Sequence, residues 1–600
     1  MCGITGIISK NKISKGIIEL MTDTIIHRGP DGFGYYYGDN FVFGHRRLSI
    51  IDLTESGRQP MEYQDRYIIT YNGEIYNYFE IKKELISYGY QFKTNTDTEV
   101  IIASYDYWGK ECLNKFNGMW AFVIYDKLEM KYFISRDRFG KKPFYYYKTS
   151  DLFIFGSEIK AILKHPSVKV KENIVYLKSY LKYGPKEYIK ETAFENIFRF
   201  DFSSYFEGTI EELLNEFTQY KFWELKPNLC YERFDEEKAK KYAKQYYELL
   251  KDAVKIRLRA DVKVGSALSG GLDSSSIVYL INNILKEQGN EELQETFSTV
   301  YKSEGTKDCD ESIFIDSLAK QLCVKSNQIE PHINDVIIEH EKVIYMMENP
   351  PESTCMSGWH TFKLVKNSSV KVTLAGQGAD EQLAGYPIYY TLYIISLNFF
   401  DLVKELKYLL TIEYYKKFIF IGILLNLTRT IFGYKFLDFI INKLLKKNKK
   451  FNLNHELSTN MSHGLVNLLH YSDHTSMAHS IESRMPFLDY RLVEFLASIP
   501  SSYKMHNGWT KYIARLAFDK KLPSNIVWRK DKMGWPIPEN YWFKGKLKKD
   551  FVNRIETCKE LEEYVTNLDI RNQLNSNIEI KYLIRYFNIS VWFKIFNKGL

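Results

Sequence analysis

Val262-Lys263-Val264-Gly265-Ser266-Ala267-Leu268-Ser269-Gly270-Gly271-Leu272-Asp273-Ser274-Ser275 is the stretch that decides the fold of the larger part of this chain. The apolar run from Val262 to Leu268 reads as a strand, a Ser/Gly turn follows, and the pattern from Ser274 to Leu285 predicts a helix. Backbone N–H groups and hydroxyls gathered at a helix N-terminus form a cradle for an anion. The glycine and lysine spacing is not that of an ordinary P-loop. It suits a loop that holds pyrophosphate when ATP is attacked at its α-phosphate, with Asp273 available for a Mg²⁺ ion bridging phosphate oxygens.

Outward from this stretch the alternation continues. A long helix, Glu236 to Ala260, precedes it; strand Thr296 to Tyr301, helices Glu311 to Gln321 and Asp335 to Met347, and strand Val370 to Leu374 follow. Alternation of this kind predicts a parallel sheet with helices on both faces and ligands at the carboxyl ends of the strands. Ala375-Gly376-Gln377-Gly378-Ala379-Asp380-Glu381 directly follows the last of those strands. It brings a second carboxylate, Asp380, to a strand end, and two acidic side chains on one phosphate site are what a Mg²⁺–pyrophosphate complex requires.

The first two hundred residues are patterned differently. Short β-branched or aromatic runs at Gly3–Ile8, Phe41–Phe43, Tyr67–Tyr71, Ala121–Tyr125, Tyr132–Ser135 and Leu152–Phe155 are bounded by turn residues. Helical patterns fall at Tyr78–Tyr88 and Thr98–Trp108, with Asp97 and Thr98 as candidate caps. A layered α+β domain is expected. Within it Cys2 stands next to the initiator Met and before a glycine, so removal of Met1 leaves a thiol beside its own α-amine, a self-contained nucleophile and base. Asn72 and Gly73 in Tyr71-Asn72-Gly73-Glu74-Ile75-Tyr76-Asn77 can supply a side-chain amide and a backbone N–H to an oxyanion. Arg47 can fork onto an α-carboxylate, and Asp97 or Glu74 can hold an α-ammonium. That set fits a free amino acid with an amide side chain, namely glutamine.

Met1 to Gly6, the His27-Arg28-Gly29-Pro30-Asp31 turn, Arg47 to Ile51, the Asn72–Asn77 segment, Ser135 to Gly140 and Gly156 to Lys160 together resemble the class II glutamine amidotransferase domain. The resemblance implies an N-terminal-nucleophile αββα sandwich. It implies Cys2 as nucleophile, Asn72 and Gly73 as oxyanion hole, and a glutamine site at Arg47, Leu48, Ser49, Ile50, Ile51, Asn72, Gly73, Glu74 and Asp97. From Ser269 onward the chain resembles the synthetase domain of the asparagine synthetase family, apart from an insertion over about 386–454. That resemblance implies an α/β domain of the pyrophosphate-loop, nucleotide α-hydrolase type. ATP contacts are then expected at Leu268, Ser269, Gly270, Gly271, Asp273, Ser274, Thr299, Ala375 and Gly376, and Mg²⁺ at Asp273 and Asp380. Gln377 falls where the family ties a residue to acyl-adenylate formation. Lys532 is the candidate to stabilise charge on the transferring group, with Lys530 its competitor because the Arg529–Gly534 stretch aligns either way. The division expected is a glutaminase domain over 2–205, a linker over 206–230 and a synthetase domain over 231–600.

Three departures bear on the acceptor. Gln377 stands where asparagine-forming members usually carry Glu, keeping the hydrogen bonding but losing the charge. His470 and His474 stand where Arg is common. The insertion adjoins the Asp380 loop. Two enzymatic readings follow. One forms asparagine from aspartate, glutamine and ATP through a Cys thioester, channelled ammonia and an acyl-adenylate; the other amidates a different carboxylate, such as a uronic acid in surface-polysaccharide assembly or a peptide. A third reading, a non-catalytic protein on the same scaffold, is opposed by the intact Cys2, Asp273 and Asp380.

The insertion is read as helical and packed on the main domain. Its most apolar piece, Phe418 to Leu427, is well short of the ~20 residues needed to span a bilayer. The alternative reading is an amphipathic surface patch for peripheral membrane contact, with Lys443, Lys446, Lys447, Lys449 and Lys450 alongside. Across 600 residues, 82 Lys+Arg against 74 Asp+Glu leave only +8, too little for a dedicated nucleic-acid binder. Seven scattered cysteines without a CxxC pair exclude a zinc module or cross-linked scaffold. With no basic-then-apolar leader at the start, a reducing, cytoplasmic setting is expected. The partners expected are small-molecule substrates, with a homodimer possible by analogy.

Overall fold

The computed structural model describes residues 2–289, 293–412, 415–433, 436, 437, 439, 443, 452–530, 537–565 and 580–596. The N-terminal part holds twelve strands: β1 (Gly3–Ser9), β2 (Gly32–Tyr37), β3 (Phe41–Arg47), β4 (Met61–Tyr63), β5 (Tyr67–Ile75), β6 (Gly118–Asp126), β7 (Lys131–Arg136), β8 (Tyr145–Lys148), β9 (Leu152–Gly156), β10 (Ile197–Arg199), β11 (Ser204–Thr209) and β12 (Tyr220–Lys221). They form two antiparallel sheets, ordered β10-β8-β9-β1-β3-β2 and β12-β11-β7-β6-β5-β4. Side chains alternate faces along a strand. Ile4 and Ile8 of β1 therefore meet Ile68, Val123 and Ile134 in a core between the sheets. The opposite face of the first sheet, through Ile7 and Val42, packs on Ile18 and Met21 of the helix Lys15–Asp23. The outer face of the second carries helices Tyr78–Ser87 and Asp97–Trp108 through Ile81, Leu85 and Ile101. This is the αββα sandwich expected.

Beyond it lie β13 (Val264–Ala267), β14 (Glu295–Thr299), β15 (Lys325–Ile329), β16 (Val372–Leu374) and β17 (Glu482–Arg484), all parallel, in the order β15-β14-β13-β16-β17. The helix Leu272–Glu287 leaves the end of β13 after the Ser/Gly turn, as its sequence predicts. Helices on both faces, among them Glu236–Arg257 and Met356–Lys366, complete the layer structure.

Three local readings change. Thr96, not Asp97 or Thr98, caps the helix Asp97–Trp108 by accepting from the Glu99 N–H, which frees the Asp97 carboxylate for other work. A domain limit at 205 falls inside β11, which pairs with β7 from Ser204 to Thr209, and β12 extends that sheet to Lys221. The polar Lys325–Ile329 and charged Glu482–Arg484 segments form strands that hydrophobic patterning gives no reason to expect.

The two parts join through buried charge. Arg28 bridges Glu158 and Asp473 at 2.8 Å each, and Lys142 also reaches Asp473. Glu348 accepts from the backbone N–H groups of Ile159 and Lys160 and pairs with the Lys160 ammonium. Asp489 binds both Asn117 and Arg257. The Arg28 and Lys142 charges are compensated in place by Glu158 and Asp473 together.

Candidate active sites at two ends of a buried charged interface

The first site gathers around Cys2, at the head of β1. The Cys2 backbone nitrogen donates to Asn72 Oδ1 at 3.1 Å, which leaves the Asn72 amide NH₂ as a donor. The Arg28 Nε holds the Cys2 carbonyl at 3.2 Å. The thiol's near acceptor is the Leu48 carbonyl, 4.0 Å away. Burial pushes the thiol above its ordinary range, with Arg47 pulling it down and Glu74 pushing it up. A thiol held protonated needs a base beside it, and the Cys2 nitrogen could serve only once Met1 is removed.

Asn72, Gly73 and Glu74 lie consecutively on β5, where β4 has already ended. On the uncovered edge the Tyr71 N–H donates to Gln59 Oε1 and the Ile75 N–H to Asp97 Oδ2. By strand alternation the Gly73 N–H shares that edge, between them. The Glu74 carboxylate is buried, has one oxygen without a hydrogen-bond partner, and lies 3.5 Å from Arg484. Burial, Glu482 and Asp97 raise it well above the usual carboxylate range. Asp97 is raised to about 6, burial outweighing the hydrogen bonds from Ile75 and Tyr71. Two buried carboxylates short of a cation are suited to a ligand ammonium.

Arg47 ends β3, and its guanidinium donates to the carbonyls of Thr54 and Asp52, which pins the 48–54 loop. Within that loop the side chains of Leu48 and Ile50 are buried in the core of the second domain. Only the backbone of those two can face a substrate, whereas Ser49 and Ile51 are half-buried. The loop is also tied across the interface, with the Asp52 N–H donating to Asp261.

The second site is a cavity of about 730 Å³ at the carboxyl ends of β13 and β16. Leu268, Ser269, Gly271, Asp273 and Ser274 line it from one loop; Ala375, Gly376, Gln377 and Asp380 line it from the other. The loops touch, since a Cβ on Gly376 would stand 3.2 Å from the Ser274 nitrogen and 3.3 Å from the Asp273 Cβ. Gly270 and Thr299 are not on the wall. Gly270 turns the loop with φ +74°, and Thr299 hydrogen-bonds the Ser357 carbonyl just behind it. Lys532 lies outside the described residues, and the exposed Lys530 lines the cavity.

Lys511 is the cavity residue that motif reading missed. Its Nζ lies 2.5 Å from Asp273 Oδ2 and 2.6 Å from Asp380 Oδ1. Burial alone would lower its pKa, but the two carboxylates prevail and raise it. The carboxylates thus converge on one cation, the donor arrangement a hard divalent ion needs. Among the described residues no cluster of three or more His, Cys, Asp or Glu could hold a metal by itself. Mg²⁺ is commonly bound by one or two carboxylates together with substrate phosphates, so Asp273 and Asp380 fit it. Lys511 sits in no Gly-rich motif, and its only sequence signal is a lysine among Trp509, Thr510 and Tyr512.

The histidine departures are placed elsewhere than expected. His470 hydrogen-bonds the Met347 carbonyl and Tyr145 of the sandwich, and lies 3.6 Å from Glu187; His474 bonds the Met346 carbonyl. Burial lowers the pKa of both, so they are neutral packing at the domain interface rather than acceptor contacts. Gln377 does face the cavity, with its side-chain oxygen buried and unpartnered.

A nucleophile domain and a pyrophosphate-loop domain in one chain define a glutamine-dependent amide-forming ligase. Residues 1–223 match the glutamine amidotransferase domain family, and residues 245–582 match the asparagine synthase family. The chain belongs to the asparagine synthetase family. It is 31% identical to asparagine synthetase (glutamine-hydrolyzing) 3 of Bacillus subtilis, over 90% of this chain and 87% of that one. To number 1 of the same organism it is 29% identical, over 98% and 92%. It also matches amidase chry2 of Gibberella zeae at 26% identity over 95% and 92%. The solved glutamine phosphoribosylpyrophosphate amidotransferase of B. subtilis covers 55% of this chain and 81% of its own at 14% identity, with a TM-score of 0.29, too slight a likeness to bear on the fold.

Proposed function

We propose that the chain makes asparagine from aspartate, using glutamine as nitrogen donor and ATP as activator. With Met1 removed, the Cys2 amine takes the thiol proton and sulfur attacks the side-chain amide of glutamine. Asn72 and the Gly73 N–H stabilise the oxyanion, Arg47 holds the α-carboxylate, and Glu74 with Asp97 holds the α-ammonium. Collapse of the intermediate leaves a thioester on Cys2 and frees ammonia; water then releases glutamate. In the second site the acceptor carboxylate attacks the α-phosphorus of ATP, and the bond to the bridging oxygen of pyrophosphate breaks. Ammonia adds to the acyl carbon and AMP leaves. Lys511, Lys530 and Arg529 bring cationic charge to the cavity wall. Asp273 and Asp380 would hold Mg²⁺, which supplies charge neutralisation to the leaving pyrophosphate when bound.

Ammonia released to water at neutral pH would protonate and lose its lone pair, so the route between the sites must exclude solvent. The interface between them is buried, and the groups bordering it include Arg28, Lys142, Asp473, Glu74 and Arg484. An apolar lining, expected from the chemistry alone, is therefore interrupted by buried charge.

The convergence of Asp273 and Asp380 on one cation is the observation that carries this reading. A specific observation favours a second reading, amidation of a larger carboxylate. The cavity continues past the nucleotide loops onto Tyr386, Ile388, Tyr415, Asn460 and Leu468, and its wall carries the neutral Gln377 where the family resemblance leads one to expect Glu. A pyrophosphate-release assay across candidate carboxylates, run with glutamine and with ammonia, separates them. Aspartate-dependent AMP formation supports the first; AMP formation only with bulkier acids, such as uronic acids, supports the second. No AMP with any carboxylate refutes both.

A further inference from the structure

Lys141, on the loop between β7 and β8, is only 4% exposed, and the carboxylates around it are engaged elsewhere. Asp137, on the same loop, accepts from the backbone N–H groups of Trp120, Phe139, Lys141 and Lys142. Asp473, on the helix Gly464–Met477, answers Arg28 and Lys142, and Glu482 of β17 pairs with Arg484. Farther round the same small cleft stand Arg136, Arg199, Glu187 and the neutral His470 and His474. Arg136 is held by the carbonyls of Gly140, Lys142 and Phe200, and Arg199 by Glu187. Among the described residues the Lys141 Nζ makes no ion pair, and the hydrogen bond it makes is to Ser472 Oγ at 3.4 Å.

An ammonium taken out of water without a counter-ion tends to give up its proton. Burial, reinforced by the Lys142 charge, lowers Lys141 to about 7 against the pull of Asp473, Asp137 and Glu482. Near neutral pH the side chain is therefore in large part an amine with a lone pair. That amine stands one residue back from the synthetase cavity. The helix Gly464–Met477 turns Leu468, Tyr471, Ser472 and Thr475 toward the cavity, at three- and four-residue spacing. Ser472 thus lines the space that Asp273 and Gln377 also line, and it meets a lysine supplied by the glutaminase half.

Amide formation in that cavity has a proton to shed. Ammonia adding to an acyl-adenylate leaves a positive nitrogen on the tetrahedral intermediate, and loss of one N–H proton lets AMP depart without reversal. We propose that Lys141, acting through the Ser472 hydroxyl, is the proton acceptor for the amide-forming step. The Ser472 oxygen takes the proton from nitrogen as its own hydrogen passes to the Lys141 lone pair. The bond from carbon to the AMP oxygen then breaks, its electron pair staying on the phosphate, and the amide carbonyl re-forms. Lys141 is left as an ammonium, whose proton is given back through Ser472 when the product leaves. One ammonia and one acyl-adenylate give one amide, one AMP and one proton. Lys141 touches no substrate; it is a positioning residue that sets the basicity of Ser472. The proposal rests on the reading that ammonia attacks an acyl-adenylate, whichever acid is activated.

The test is single-turnover amide formation by the full chain. Acyl-adenylate is built up from ATP and Mg²⁺ with aspartate or glucuronate, ammonium is added, and product is quenched over time. Total ammonium is set at each pH to keep free ammonia constant, and the adenylate built up beforehand reports the fold of the synthetase half. Wild-type amide formation should fall about tenfold per pH unit on the acid side of about 7. Lys141→Met should form amide about 100-fold more slowly at pH 8 and lose that acid limb. Lys141→Arg restores a cation without a lone pair, so it should not recover the rate. Ser472→Ala leaves the lysine in place and should lose the same limb; its result decides if Lys141→Met builds up no adenylate. Amide formation within about threefold of wild type in Lys141→Met and Ser472→Ala, or a wild-type rate flat from about pH 6 to about pH 8, overturns the proposal alone. No adenylate from the wild-type chain with any carboxylate overturns the underlying reading and the proposal with it.

Discussion

Lys511→Met would unmask the two carboxylates of the synthetase site. Asp273 Oδ2 and Asp380 Oδ1 each lie about 2.5 Å from the Lys511 nitrogen, which puts them within about 5 Å of each other. Two negative charges at about 5 Å repel by about 3 kcal/mol at an effective dielectric of about 20. In the wild-type chain the ammonium relieves that repulsion, and a divalent cation must compete with it. Without the ammonium, the cation collects the whole relief, so the affinity of the nucleotide-free protein for Mn²⁺ should rise by up to about 100-fold, each 1.4 kcal/mol being a factor of ten. Catalysis should move the other way. Loss of a cation aimed at developing phosphate charge costs about 10²–10³ in rate, so pyrophosphate release should fall by that factor. Mn²⁺ titration followed by electron paramagnetic resonance reads the first effect, a coupled pyrophosphate assay the second, and glutamine hydrolysis should not change. Mn²⁺ affinity that is unchanged or weaker in Lys511→Met would refute the assignment of Asp273 and Asp380 as a paired cation site.

Asp97 has its pKa raised to about 6 by burial, so it contributes to stability below about pH 4 and that contribution is lost as pH rises through 6. Its ionised form is the one that holds an ammonium, so KM for glutamine should climb as pH falls below about 6, and Asp97→Asn should raise KM at pH 8 and flatten that limb. Asp473→Asn leaves Arg28 and Lys142 buried with a weakened partner; it should lower stability by about 3–5 kcal/mol in thermal melts and loosen the coupling of glutamine hydrolysis to amide formation. A Cβ on Gly422 would stand 3.0 Å from Ile394 and 3.1 Å from Thr391, so the overpacking in Gly422→Val should cost about 1–3 kcal/mol and show as faster proteolysis of the 386–454 insertion.

The parts of the fold that sequence reveals are those whose causes are local. The β13 turn and the Asp380 loop are contiguous runs of Gly, Ser and Asp after apolar strands, and each stands where its spacing predicts. β17 is hidden because Glu482-Ser483-Arg484 is polar throughout, yet fully buried. Glu482 and Arg484 pair with each other, and Arg484 also donates to the Arg257 and Arg259 carbonyls, contacts that no periodicity encodes. Lys511 is hidden for a similar reason: its partners are 238 and 131 residues away in the chain. The histidines at 470 and 474 mislead because substitution away from a family pattern marks a changed environment without saying which one. Here that environment is the Tyr145 and Glu187 side of the domain interface.

On the proposed route, nitrogen released at Cys2 reaches the activated acid without entering solvent. Single-turnover synthesis with amide-¹⁵N glutamine in excess unlabelled ammonium tests it most directly. Wild-type protein should give product amide that is almost wholly ¹⁵N, and Cys2→Ala should give only ¹⁴N product at a similar rate per active site. Product from the wild-type chain carrying the isotope ratio of the bulk ammonium would contradict it.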